Sequence, residues 1–345
     1  MVRIGFASTA GYELHRPVAR DSYNWEMPAV GKKLHHKVAR FYLKSWDERG
    51  RDTDDAQVFC LQGGEVRRAN VRNLAAENHF YRLRELSEAD VQFIQKVAVD
   101  DSPAILKPCH ERLIQWFSLP HKMRKRLEAS GKATPELLGR VDRVIYEMGE
   151  DLHTSIEEQF KPYLESMRCG DLSFYSDKKK AGLFFIGIAA QYLRTDLVKK
   201  ARMIWRTRDY ETFERIANVL VHIYAVNLGR SLYVDAERYQ IMLLENRTEV
   251  PFVTGDQPVI NIAARPVETK PPVKFELYYP VSPTRAMLLV EPSSDHFPKD
   301  SSVSAMAVHI YNSHVAAHSY QQVFGNTAEV LECVKSDLSA IRSCL

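Results

Sequence analysis

Phe252-Val253-Thr254-Gly255-Asp256-Gln257-Pro258-Val259-Ile260 decides the fold class. Apolar residues flank a Gly-Asp-Gln-Pro centre, so the stretch reads as strand, tight turn, strand. Gly255 and Pro258 set the turn and Asp256 stands at its apex. Around it, Val250–Thr254, Pro258–Ala263, Phe275–Val281, Arg285–Glu291 and Ser304–Asn312 are short β-rich runs punctuated by Gly, Pro and Ser. Pro266 to Pro272 reads as a loop, and Asn326-Thr327-Ala328-Glu329 has capping-box spacing and starts a terminal helix.

Upstream the pattern is helical from Ser87 to about residue 245. Ser87 is an N-cap with Asp90 three residues on. Thr134-Pro135-Glu136 gives a capping hydroxyl, a Pro at the first helical position and an acid in the first turn. Gly170 after Cys169 is a stop signal. Asp209 caps another helix, whose apolar face is Phe213, Ile216, Leu220, Ile223 and Tyr224. Further upstream, Gln57–Gln62 and Glu65–Arg68 flank Gly63-Gly64 as a β-hairpin. Leu34 to Trp46 is a basic, aromatic segment read as helix or turn. The order predicts an α+β fold: a small N-terminal β element, a predominantly helical middle and a C-terminal antiparallel β-rich region. The segments are 1–85, 86–245 and 246–345, expected to form one integrated fold.

Composition narrows the function classes. At 45% hydrophobic and 26% charged, the chain has an ordinary globular make-up. Its 47 basic and 44 acidic residues leave +3, so a nucleic-acid surface would have to be a local basic patch. Lys178-Lys179-Lys180, His121 to Arg126 and the stripe Lys199, Lys200, Arg202, Arg206, Arg208 are such patches, or plain solvated faces. Cys60, Cys109, Cys169, Cys333 and Cys344 are scattered without a C-x-x-C pair, against a disulfide framework or a cysteine zinc site. The longest apolar stretch, Ala181 to Leu193, is shorter than the roughly 20 residues that span a bilayer and reads as a buried helix. With no basic and apolar leader at Met1, the expectation is a cytoplasmic protein without a membrane partner. No P-loop, G-x-G-x-x-G, G-x-S-x-G or H-E-x-x-H is present, against the common nucleotide-dependent, serine hydrolase and zincin classes.

Three segments carry chemistry-bearing residues. His36, Arg40 and Tyr42 lie in His36-Lys37-Val38-Ala39-Arg40-Phe41-Tyr42-Leu43-Lys44-Ser45-Trp46. On a helix His36 and Arg40 would be neighbours, an imidazole for proton transfer beside a cationic clamp, or simply a solvated basic face. Gln191 and Arg194 share one face at the end of the apolar Ala181–Leu193 helix, where polar groups must find partners or open onto a pocket. Asp256 is a candidate base or metal ligand, or else an Asx-turn carboxylate. Glu150-Asp151-Leu152-His153 has the Glu-x-x-His spacing of di-metal bundles, but a second such motif is missing, so a solvated helix face is the stronger reading.

These motifs, in this order, resemble the DUF4238 family of unknown function, whose pattern is a His-x-Val-Pro-x-Phe-Tyr-Leu-x-x-Phe opening, a Gln-x-x-Arg-Thr and a Thr-Ser-Asp-x-Pro-Val followed by Pro-x-Ser-Pro. The counterparts here are His36 to Trp46, Gln191 to Thr195, Thr254 to Val259, then Tyr279-Pro280-Val281-Ser282-Pro283 and Tyr311-Asn312. The chain departs at Ala39 for Pro, Trp46 for Phe, Gly255 for Ser and Gln257 for Asn. The resemblance implies a bacterial cytosolic protein, with an association to defence or mobile-element loci and no established chemistry.

The leading expectation is an enzyme for a phosphate-bearing substrate, nucleic acid or nucleotide, in a bacterial effector or defence setting. His36, Asp256 and Gln191 would be catalytic, and Arg40, Arg194 and Tyr42 would bind substrate. No metal is assigned. A divalent ion at Asp256, with Glu77 or Glu276 as a second carboxylate, stays open. The rival is a non-catalytic binding or sensor protein in which the same residues form a structural network.

Overall fold

The computed structural model describes residues 34–194, 210–264, 274–296, 298 and 300–343. It is α+β in the predicted order. Strand β1 (Leu34–His36) pairs with β4 (Ala76–Asn78). Between them come the short helix α1 (Arg40–Leu43), running into a 3-10 turn at Lys44–Trp46, and the hairpin β2 (Gln57–Gln62) and β3 (Glu65–Asn70). Gly63 and Gly64 close that hairpin at φ of 61° and 83°, the left-handed values that a two-residue turn demands.

The helical middle comprises α2 (Glu88–Ile94), α3 (Lys107–Ala129), α4 (Pro135–Cys169), α5 (Lys178–Leu193) and α6 (Tyr210–Val234). Its caps are those in the sequence. Ser87 and Asp90 form a reciprocal capping box, Thr134 Oγ1 accepts from Leu137 N at 3.2 Å, and Gly170 ends α4 in the left-handed conformation. The expected cap at Asp209 lies outside the described residues, as do the basic stripe 199–208 and the loop expected at Pro266 to Pro272. Among the described residues no helix is long and apolar enough to cross a membrane.

The return is antiparallel. Strands β5 (Gln240–Glu245), β9 (Arg285–Val290), β8 (Leu277–Ser282) and β7 (Ile260–Asn261) make one sheet in that order. The other runs β3-β2-β10-β6, with β10 at Gln322–Gly325 and β6 at Thr254–Gly255. Helix α7 (Ala305–His318) precedes β10, and α8 (Ala328–Ser343) follows it. The predicted strand-turn-strand is present, but its two halves join different sheets: β6 pairs with β10 and β7 with β8. The Asp256 turn is therefore the seam between the sheets.

Three local readings change. The helical run ends at Val234. Gln240–Glu245 is a strand because pairing with Arg285–Val290 overrides the helix-favouring Met and Leu residues. Ser304–Asn312 is not a strand. Ser304 Oγ accepts from Ala307 N at 3.2 Å and caps a helix whose Val, Ile and Tyr residues misled the strand reading. His36 lies on β1 and Arg40 opens α1, so the two are not helical neighbours.

One close approach fixes α4 against the N-terminal segment. A Cβ on Gly149 would stand 2.2 Å from Tyr81 O and 2.9 Å from Tyr81 Cβ. Both neighbours lie on or next to the backbone and cannot swing aside. Gly149→Ala is expected to destabilise the fold by about 1–3 kcal/mol through overpacking, read as a lower urea midpoint with an unchanged slope.

Candidate functional site

Helix α4 supplies the floor. Phe160, Leu164 and Met167 continue an apolar ladder whose preceding rungs are His153 and Glu157, spaced four and three residues apart. His153 is 4% exposed, so the Glu150–His153 face is not the solvated one read from sequence. Tyr81 packs on it with ring centroids 3.9 Å apart, and His222 of α6 lies 4.8 Å away on the other side. His35 stacks on Tyr81 and accepts from its backbone N–H at 3.0 Å. A column of rings thus ties β1 to α4 and α6.

His36 sits at the head of this assembly. Its backbone N–H donates to Glu150 Oε1 at 3.3 Å, and its Nε2 lies 3.0 Å from Arg72 O. A carbonyl can only accept, so Nε2 carries the proton and the neutral ring presents the Nδ1 lone pair. Nδ1 has no hydrogen-bond partner among the described residues. Burial lowers this imidazole below its usual 6.5; the Arg72 carbonyl opposes that, and the Arg40 and Arg194 guanidinium groups add to it. Arg40 is 43% exposed and lies 3.6 Å from Asp54, which also holds Arg72 at 3.2 Å. Exposed pairs of this kind are worth about 0–1 kcal/mol and yield easily to a better anion.

Arg194 comes from behind. It follows the last residue of α5, is 1% exposed, and donates through Nη1 to Glu157. Its Nε and Nη2 are buried with no acceptor. Burial works against its charge, but Glu157, Tyr81 and Glu150 outweigh that and raise its pKa. Gln191, 4% exposed and one turn earlier, has a side chain without a hydrogen bond to a described residue. The structure therefore gathers His36, Arg40, Arg194 and Glu157 within electrostatic reach of one another.

Tyr42 and Asp256 are placed differently. Tyr42 is 2% exposed; its hydroxyl donates to Pro280 O at 2.6 Å and so accepts from Thr254 Oγ1 at 2.7 Å. Trp46 Nε1 donates to Phe252 O at 2.9 Å beside it. Asp256 accepts from the backbone N–H groups of Tyr320, Gln321 and Gln322 at 2.7, 2.7 and 3.1 Å. Burial raises its carboxyl despite those three bonds and the nearby Lys37. The same turn reaches α5, where Gln257 Nε2 donates to Tyr192 O at 3.0 Å. A Cβ on Gly255 would lie 1.9 Å from Ser319 Oγ, so Ser319 fills the space that a larger residue would need there. The three motif segments do meet, with Tyr42 and Asp256 as buried joints and His36 and Arg40 at the accessible end.

Glu77 is occupied by Lys37 and Glu276 by His296, so neither joins Asp256. Among the described residues, no three His, Cys, Asp or Glu side chains are grouped to hold a metal ion. A groove of about 490 Å³ lies elsewhere, between the Gly63-Gly64 turn, the 316–321 segment and Lys335. Its lining has no titratable groups beyond Tyr320 and Lys335.

Sequence reasoning missed Glu157 and Arg72. Glu157 was readable as a carboxylate on the same ladder as Phe160, Leu164 and Met167. Arg72 acts through its carbonyl, which no side-chain pattern signals.

The sequence model of the family described as "Protein of unknown function (DUF4238)" matches residues 34–329. No curated protein and no solved structure matches the chain.

Asp256→Ala is expected to cost about 3 kcal/mol or more, because three backbone N–H groups lose their acceptor at a buried seam. Chemical denaturation measures it. A reacting carboxylate with no structural duty would instead leave the midpoint unchanged.

Proposed function

We infer, for a chain that belongs to the DUF4238 family of proteins of unknown function, an acid–base enzyme acting on a phosphate-bearing substrate such as a nucleotide or nucleic acid. The observation that carries this reading is the His36 imidazole. It is oriented through Nε2 by Arg72 O, its Nδ1 has no partner among the described residues, and the ring lies within electrostatic reach of Arg40 and Arg194. A neutral imidazole at pH 7 accepts a proton, and cations beside it hold negative charge on the reacting group.

In this reading His36 takes the proton at Nδ1. Arg40 and Arg72, 43% and 54% exposed, hold the phosphate. Tyr42 and Asp256 are positioning residues, because their hydrogen-bonding groups are engaged by protein. A second reading, a binding or sensor protein without turnover, draws support from that same engagement and from the depth of Arg194. The two differ in what a His36 substitution does. A half-buried imidazole with one backbone bond contributes little to stability, whereas a catalytic base contributes about 100-fold or more to rate.

His36→Gln is expected to lower kcat by about 100-fold or more on nucleotides or short oligonucleotides, with the melting temperature nearly unchanged. Arg40→Ala is expected to raise KM about tenfold and to reduce the dependence on salt. No turnover by the wild type would end the enzymatic reading, and full activity in both variants would end the roles given to His36 and Arg40.

The pH dependence has a definite sign. His36 titrates below 6.5 in the folded chain, so the acid limb of kcat/KM falls below 6.5 and disappears in His36→Gln. The unfolded chain binds this proton at higher pH than the folded one. Stability is therefore full above 6.5 and drops as pH falls toward the lowered value. Paired pH–rate and pH–denaturation curves check both.

A further inference from the structure

Two other, partly exposed arginines show how this chain pairs a guanidinium with a buried carboxylate. Arg51 lays Nε and Nη2 against the Asp47 carboxylate, with its shortest bonds to Oδ2 at 3.1 and 2.7 Å. Arg215 does the same to Asp90, at 2.8 and 3.0 Å. In each, the side-on edge of the guanidinium meets a group with two oxygens, the arrangement for which the planar fork is suited.

Arg194 departs from that pattern. Glu157 takes only Nη1, and the Nε–Nη2 edge is fully buried with no acceptor. Among the described residues with orphaned buried polar atoms, only Arg194 has two on one side chain. Each such donor destabilises the fold when left unpaired. Gln191 adds an amide on the same turn of helix, 4% exposed and with no hydrogen bond to a described residue. Arg194 lies within electrostatic reach of His36.

We propose that the Nε–Nη2 edge of Arg194, with the Gln191 carboxamide, receives one singly charged group bearing two acceptor oxygens, a phosphodiester or a carboxylate. The edge offers two parallel N–H donors about as far apart as the two oxygens of such a group. Charge favours a monoanion. Glu157 and Glu150 already lie close to Arg194, and Arg40 with Arg194 only balances them. A dianion would meet the repulsion of both carboxylates more strongly than a monoanion would. Both N–H groups are closed to solvent, so the guest enters by a local opening and its apparent affinity is reduced by the fraction of molecules open. The proposal rests on the site reading above only in placing this group next to the His36 imidazole.

The test uses the full chain with dimethyl phosphate, acetate and inorganic phosphate as probes, at constant ionic strength. Binding is followed by calorimetry and by the shift in melting temperature. Wild type and His36→Gln are expected to bind dimethyl phosphate or acetate saturably, and inorganic phosphate more weakly. Arg194→Lys keeps the charge beside Glu157 but loses the fork, and is expected to bind about tenfold more weakly. Gln191→Leu leaves the Arg194–Glu157 pair in place and is expected to weaken binding several-fold. It carries the test if Arg194→Lys fails to fold. No saturable monoanion binding to wild type, or unchanged affinity in the variants, would overturn the proposal. Acetate binding alone upholds the fork and removes support for a phosphate substrate. Loss of binding in Arg194→Lys together with full turnover in His36→Gln upholds the fork and defeats the acid–base reading.

Discussion

The Asp256 carboxylate, fastened to three consecutive backbone N–H groups, is the constraint from which the rest of the arrangement follows. It lies where the chain leaves one sheet for the other. β6 ends at Gly255 and pairs with β10, and β7 begins at Ile260 and pairs with β8. The three amides belong to residues 320–322, at the exit of α7 and the start of β10, so one side chain sets the angle at which the last strand enters its sheet. A buried carboxylate is costly unless its lone pairs are filled. Here the filling and the seam are the same set of bonds.

That seam also positions the N-terminal segment. Tyr42 bridges Thr254 on β6 and Pro280 on β8, one hydroxyl bonded to both sheets. Trp46 adds its bond to Phe252, and Gln322 Oε1 accepts from Ala75 N at 2.8 Å. Strand β10 pairs with β2, so the first and last parts of the chain share a sheet. With α1 held in this way, His36 and Arg40 on either side of residues 37–39 have little freedom to wander. The site is built on strand and helix ends, which hold side chains more accurately than a free loop would.

Much of this was legible in the sequence because it depends on local rules. Capping residues, the Gly63-Gly64 turn and the apolar period of α6 each report on a few neighbouring residues. The three motif segments were also visible as polar residues in apolar surroundings. Their division of labour was not. Asp256 and Arg194 look equally reactive as letters, and only long-range partners separate them: three amides fill one, while Glu157 takes a single nitrogen of the other. Strand β5 and helix α7 failed for the related reason that sheet pairing and one capping serine outweighed composition.

The contrast between filled and unfilled groups bears most directly on function. Asp47 is held by Arg51 and by the backbone N–H groups of Arg49, Arg51 and Gln57, and Asp90 by Arg215 and a capping box. These two carboxylates frame the fold, and each has its donors. Lone unpaired hydroxyls at Tyr175 and Tyr278 are minor by comparison, since each is one neutral group. Arg194 is charged, central and short of two acceptors, one helical turn from the Gln191 amide and within electrostatic reach of an imidazole with a spare lone pair. Framing alone would have favoured a second carboxylate for Arg194, or a smaller apolar residue in its place. Keeping the guanidinium while leaving its most selective edge without a protein partner is what a receptor requires, and the filled Asp256 seam has no such edge.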